Sequence, residues 1–129
     1  MTTIKIRNYH LDAYQHVNNA RYLEFLEEAR WRYFDHINQQ EFKALNIAFF
    51  IVNININYRV PAGAGDIIEI KTHTEKIGKT SMTVKQEIYF EGTDQLVTDA
   101  TITFVIIDQT TQQPKIIDND LKKMLSVDV

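Results

Sequence analysis

The stretch that decides the fold is Asn19 to Ile37, NARYLEFLEEARWRYFDHI. Tyr22, Phe25, Leu26, Ala29, Tyr33 and Ile37 recur at steps of three and four, while Glu24, Glu27, Glu28, Arg32 and Asp35 take the other side. That spacing predicts one amphipathic helix, roughly 28 Å long at about 1.5 Å per residue. Asn18 or Asn19 supplies its N-cap. Glu24 and Glu28 repel at a spacing of four, and Arg32, four beyond Glu28, offsets them. So wide an apolar stripe needs cover on more than one side.

Working outward, Ile4-Lys5-Ile6-Arg7 alternates and predicts a short first strand, followed by a polar stretch from Asn8 to Asn18. After the helix and a polar connector the period changes to two. Phe50, Val52, Ile54, Ile56 and Tyr58 alternate with Ile51, Asn53, Asn55 and Asn57, which predicts a second strand. Pro61-Ala62-Gly63-Ala64-Gly65 ends it. A third strand is expected from Asp66 to Ile77, then a turn at Gly78-Lys79. A fourth runs from Ser81 to Glu91, with Met82, Val84, Ile88 and Phe90 on one face. Gly92-Thr93-Asp94 turns into a fifth, Gln95 to Asp108, and a short polar helix, Asn119 to Leu125, follows. The order predicts an α+β fold in which an antiparallel sheet curls around one long helix.

The 129 residues suit a single domain, 1–129. A chain of this size buries about two thirds of its unfolded surface. The absence of cysteine excludes disulfides, thiolate nucleophiles and cysteine-rich zinc sites. The four histidines are scattered, so no metal is expected. A net charge of −3 argues against general nucleic-acid binding. The longest strongly apolar run, Ala48 to Val52, falls far short of the roughly twenty residues a membrane span needs. The first residues lack the apolar core of a signal peptide. The expectation is a cytoplasmic protein.

Chemistry concentrates in Tyr9 to Tyr22, YHLDAYQHVNNARY, a polar loop entering a helix N-terminus. That end offers unpaired N–H groups and partial positive charge. The nearest carboxylate on the helix is Glu24, so the first N–H groups are free to hold an oxyanion. Asp12, a few residues upstream, can present a carboxylate to the same space. Such a pair suits hydrolysis of an activated acyl group, by direct attack or through water. The plainer alternative makes Asp12, Asn18 and Asn19 turn and cap residues. Spacing alone leaves both open.

The run from Asp12 to Tyr22, Asp-x-x-x-His-Val-Asn-Asn-x-x-Tyr, with LEFLEEAR from Leu23 to Arg30, resembles the hotdog-fold acyl-CoA thioesterases of the 4-hydroxybenzoyl-CoA thioesterase superfamily. The likeness continues through Asn53 to Ala62, NININ-YRVPA, and Ala100 to Val105, ATITFV. Within the superfamily it is nearest in kind to the bacterial long-chain enzymes linked to fatty-acid β-oxidation. The resemblance implies a hotdog domain that hydrolyses fatty acyl-CoA to free acid and coenzyme A without a cofactor. It places the catalytic carboxylate, as nucleophile or base, on Asp12, and the carbonyl-polarising N–H on Asn19. It also implies a homo-oligomer, a dimer with shared sites or a dimer of dimers. Two positions depart from the common pattern: His10 stands where many relatives carry an acid, and Gln15 where many carry glycine.

Other residues carry two readings each. His16 orients water or bonds the acyl carbonyl, or is a structural loop histidine. Tyr22 starts the core stripe, with its hydroxyl within reach of the loop as a substrate contact. Asn53 and Asn55 are an ordinary solvated row, or, as the resemblance implies, line the substrate at a dimer interface. Trp31 lies off the helix stripe and is expected against the sheet or a partner subunit. Arg59, Lys76 and Lys79 sit at strand ends, solvated or meeting coenzyme A phosphates. The rival functions are an aroyl-CoA or acyl-carrier-protein thioesterase and a non-catalytic acyl- or CoA-binding module.

Overall fold

The computed structural model describes residues 1–126. Its central helix, α1 (Asn19–Asp35), starts where Asn18 Oδ1 accepts from Ala20 N at 3.0 Å, so Asn18 is the cap. Tyr22, Phe25, Leu26, Ala29, Tyr33 and, just past the helix, Ile37 are all buried, as the spacing predicts. Phe34 joins them, which the stripe did not include. On the outer face Arg21 pairs with Glu24 at 3.1 Å and Arg32 with Glu28 at 3.0 Å, relieving the Glu24–Glu28 repulsion.

Strands β1 (Thr2–Lys5), β2 (Ile47–Tyr58), β3 (Ile67–Ile77), β4 (Ser81–Phe90) and β5 (Leu96–Asp108) form an antiparallel sheet in the order β1-β3-β4-β5-β2. A two-residue strand, β6 (Gln113–Pro114), pairs with the end of β5. The sheet curls around α1, the architecture the alternation of elements predicts. α1 packs chiefly on β3 and β1, at one side of the sheet. Between helix and sheet, Leu26, Ile68, Met82, Ile88, Ile102 and Ile106 lose all contact with water. Gln86 is equally buried there. Its Nε2 donates to the Leu26 carbonyl and to Thr72 Oγ1, and its Oε1 accepts from Arg30 Nη1, each at 3.0 Å. A buried amide with every role filled pins the helix to the sheet. Helix α3 (Asn119–Leu125) closes the bottom, where the Tyr33 hydroxyl donates to the Leu125 carbonyl and meets Thr74 Oγ1.

Three features depart from the sequence-based expectation. The polar connector contains a helix, α2 (Gln39–Ala44), capped by Asn38 Oδ1 on the N–H groups of Gln40 and Glu41. β1 begins two residues early. Most consequentially, β2 does not keep one apolar face along its length. Tyr58, Ile56 and Ile54 sit opposite the inward residues Thr98, Ala100 and Ile102, but the register slips between Ile51 and Asn53. Beyond this bulge Ile51 and Phe49 oppose the inward Phe104 and Ile106. One extra residue in a strand reverses the parity of everything after it. Phe50 therefore shares the outer face with Asn53, Asn55 and Asn57, while Ile51 points toward the helix side.

Candidate active site

The loop before α1 is folded by its own backbone. Leu11 and Val17 form an isolated antiparallel bridge, and Asp12 N donates to the His16 carbonyl at 2.9 Å. Gln15 at the loop's tip has φ of 63°. Glycine adopts that conformation freely, whereas another residue there costs about 1 kcal/mol. The loop therefore keeps its shape with Gln15 in place of glycine. Two further bonds seat it: Val17 N donates to the Ala62 carbonyl and Asn18 N to the His10 carbonyl, both at 2.9 Å.

His10 belongs to this scaffold. It is buried, Nδ1 accepts from Arg7 N at 2.9 Å, and the ring meets Phe25 edge-on at 4.9 Å between centroids. Burial, reinforced by Arg21, holds its pKa below the usual range. A neutral imidazole with Nδ1 as acceptor is the form this setting favours.

Asp12 is half-buried at the wall of a cavity of about 370 Å³. Its Oδ1 accepts from Tyr14 N at 2.8 Å and from His16 N at 3.4 Å. Oδ2 has no hydrogen-bond partner among the described residues and is left for a ligand. Asn19, the first residue of α1, lines the same cavity, and its N–H has no partner among the described residues. Asp12 and Asn19 thus line one cavity, with His16, Tyr22, Tyr58 and Arg59 also on its walls. The His16 side chain makes no hydrogen bond among the described residues.

Tyr22 is 3% exposed, and its hydroxyl has no hydrogen-bond partner among the described residues. Burial pushes its pKa up to about 12, slightly opposed by the nearby Ala62 amide. It stays protonated at any working pH. The Tyr58 ring lies 5.7 Å from that of Tyr22, and its hydroxyl donates to the Asn19 carbonyl at 3.3 Å. This bond ties the end of β2 to the start of α1.

The other sequence candidates scatter. Arg59 reaches the cavity but is bound to Asp99, Nη2 to Oδ2 at 2.9 Å, and Asn57 Nδ2 holds the other carboxylate oxygen at 2.9 Å. Asn53 and Asn55 are on the outer face of the sheet, away from Asp12. Lys76 lies at the end of β3 and Lys79 in the β3–β4 turn. Tyr58 is level with Ile88, so β4 separates that turn from the Asp12 end by roughly 23 Å, at about 3.3 Å per residue. Within one chain neither lysine meets Asp12.

Between the helix and β2 the wall is open. Asn19, Leu23, Glu27, Arg30 and Phe34 fall on one stripe of α1 by their spacing. Tyr58, Ile56, Ile54, Ile51 and Phe49 face it from β2. Leu23 and Ile54 are each 38% exposed. Farther along α1 and β2 lies a second cavity of about 360 Å³, lined by Trp31, Phe34, Phe42, Phe49, Ile51 and Phe104, with Glu27 and Arg30 also on its wall. Sequence reasoning missed this aromatic end. The signal is present in Phe42 and Phe49, which stand in and beside the otherwise polar connector before the second strand.

The profile of the thioesterase-like superfamily matches residues 6–125. The chain belongs to that superfamily. It is 50% identical over 125 residues to the long-chain acyl-CoA thioesterase FadM of Escherichia coli (strain K12), covering 96% of this chain and 95% of that protein. It is 29% identical over 101 residues to the acyl-CoA thioester hydrolase YbgC of Escherichia coli O157:H7, covering 77% of this chain and 75% of the other. The crystal structure of YbaW from Escherichia coli matches with a TM-score of 0.90 at 50% identity, over 96% of this chain and 94% of that one. Slr0204 of Synechocystis, a 1,4-dihydroxy-2-naphthoyl-CoA thioesterase, shares the fold at a TM-score of 0.82 and 16% identity, over 96% and 93%. The hotdog architecture and thioester-hydrolase character read from the motifs agree with these relatives. No helix among the described residues is long and apolar enough to cross a membrane.

Proposed function

We propose that this protein hydrolyses long-chain fatty acyl-CoA to free fatty acid and coenzyme A, with Asp12 as base or nucleophile and the Asn19 N–H as oxyanion donor. The observation that carries the reading is the pairing of the free Asp12 Oδ2 with the unpaired Asn19 N–H on one cavity. The thioester carbonyl oxygen accepts from Asn19 N–H, which stabilises charge as it develops. Asp12 takes a proton from water as the water oxygen bonds the carbonyl carbon. The tetrahedral intermediate then expels the thiolate, and the proton passes to sulfur. In the nucleophilic version Oδ2 itself bonds the carbon, the tetrahedral intermediate expels the coenzyme A thiolate, and water hydrolyses the resulting mixed anhydride to the acid and the Asp12 carboxylate, its proton passing to sulfur. Tyr22 and His16 border the reacting group, and Arg59 stands at the cavity mouth toward coenzyme A. The acyl chain lies in the groove between α1 and β2. The identity to FadM supports a long chain, and the groove's apolar walls support it independently.

The functional unit in this reading is a homo-oligomer. β2 is an edge strand, and Phe50, Ile51 and Val52 are 51%, 47% and 59% exposed on it. An unpaired apolar edge of that length invites a second copy. Antiparallel pairing of two β2 strands would cover it and roof the groove.

The test is thiol release across a panel of acyl-CoA lengths for the wild type and Asp12→Asn, with light scattering at the assay concentration. The substitution should lower kcat by roughly 10² or more, the scale of a lost general base. Folding should be retained, because the backbone bonds of the loop remain. Near wild-type turnover by folded Asp12→Asn would refute the catalytic assignment. A fully active monomer would refute the oligomeric one.

A further inference from the structure

We propose that Phe42, carried on α2, is the end wall of the acyl groove and sets the longest chain the enzyme accepts. The inference rests on the acyl-CoA reading above and adds the residue that determines specificity. From Asn19, where the reacting carbonyl docks, α1 advances roughly 12 Å to Glu27 and 22 Å to Phe34, at about 1.5 Å per residue. An extended carbon chain advances about 1.25 Å per atom, from bonds of about 1.52 Å at near-tetrahedral angles. The aromatic cavity therefore begins near the tenth acyl carbon and ends near the eighteenth, on the order of what those lengths give.

At that far end three rings stand almost parallel. Phe34 and Phe49 are 4.9 Å apart at 14°, Phe42 and Phe49 5.7 Å at 21°, and Phe34 and Phe42 6.1 Å at 28°. Phe34 and Phe49 are fixed by α1 and β2, the rigid frame. Phe42 is not. α2 is six residues long and contains no buried residue. It is tethered at its start, by the Asn38 cap and by Gln39 Nε2 donating to the carbonyls of Phe34 and Ile37. The stack is its half-buried anchor on the groove. The cavity's one interior cation does not oppose an acyl tail, because the Arg30 head is held by Gln86 and leaves its aliphatic stem toward the wall. At the rim stands Trp31, 60% exposed and the single tryptophan of the chain, which makes it a built-in reporter of occupancy.

The experiment measures kcat/KM for straight-chain acyl-CoA substrates from about eight to twenty-two carbons, spanning the path-length window, in wild type, Phe42→Ala and Phe42→Trp. Chains too short to reach the cavity serve as the internal reference. Relative to them, Phe42→Ala should raise kcat/KM for chains beyond about eighteen carbons, by about three- to fourfold per methylene newly admitted. Phe42→Trp should move the cut-off to shorter chains. Trp31 emission in wild type and Phe42→Ala should shift to the blue with a sixteen-carbon free fatty acid, about long enough to reach it, and stay fixed with a six-carbon one. If both variants change kcat/KM by one common factor at every length, or if Trp31 does not respond to chain length, Phe42 is a structural residue and the inference fails. A wild-type protein that releases no thiol from any acyl-CoA would instead overturn the reading beneath it, and this inference with it.

Discussion

The two faces of α1 differ in what covers them. The face against β3 and β4 is sealed: Leu26 is 0% exposed, Ala29 and Tyr33 1%. The face toward β2 mixes apolar Leu23, Trp31 and Phe34 with Glu27 and Arg30, and there Leu23 is 38% exposed and Trp31 60%. Across the gap Ile54 and Ile51 are open to a similar degree. One helix thus supplies more apolar surface than its own sheet covers. Single exposed apolar residues need no explanation, but a continuous row facing another row marks a binding surface. The sealed face holds the fold together, and the open one is available for substrate and partner.

Breaking this comparison should have its largest effect on stability. Leu26→Ala removes a fully buried side chain beneath the Gln86 network and should cost about 2–5 kcal/mol. Leu23→Ala, the same substitution three residues earlier on α1, should cost no more than about 0.5 kcal/mol. Denaturant melts of the two variants check this directly. Comparable losses would mean that Leu23 is packed as firmly as Leu26 and that no open groove exists.

The sealed face was legible in the sequence and the open one was not. Tyr22, Phe25, Leu26 and Ala29 announce themselves by period, because burial against a regular sheet selects on period alone. The strands from β3 to β5 were legible for the same reason. β2 misled because a bulge near Val52 leaves no mark on composition, yet reverses which residues face inward. Asn53 and Asn55 lie past the bulge and keep the face that simple alternation assigns them, the outer one, where the resemblance expects a dimer interface. Asp12, Asn19 and His16 were legible because the loop is local: a few adjacent residues close on one another, and a short motif carries their arrangement. Phe34, Phe42, Phe49 and Phe104 come from four separate elements, and only the folded chain brings them together.

A smaller effect separates scaffold from chemistry within the loop. Asn18 Oδ1 caps α1 through Ala20 N, whereas the Asn19 side chain has no capping bond. Asn18→Ala should therefore cost about 1 kcal/mol, the usual value of a lost N-cap. Asn19→Ala should leave stability nearly unchanged, and it keeps the backbone N–H proposed as the oxyanion donor. Equal melting temperatures for the two variants would show that the cap is shared.

The smallest effect concerns His10 and is seen only as a dependence on pH. Burial, with Arg21 and Arg7 adding like charge and Glu24 opposing them, lowers its folded-state pKa below the usual value of 6.5. Protonation would also cancel the acceptor that holds Arg7 N. The unfolded chain then binds the proton more tightly than the folded one, so stability rises with pH. The contribution is complete above about pH 6.5 and is lost as pH falls through the lower folded value. His10→Asn places an amide oxygen near the position of Nδ1, keeps an acceptor for Arg7 N and removes the titration. It should carry a pH-independent penalty from lost ring contacts with Phe25. Against that offset its stability should fall less than wild type as pH drops below about 6.5, with a slope difference never above about 1.4 kcal/mol per pH unit for one proton. The other three histidines are common to both proteins and cancel in the difference. Parallel stability curves over that range would mean that His10 titrates alike in the folded and unfolded chain, and that its buried neutral state does not hold the loop.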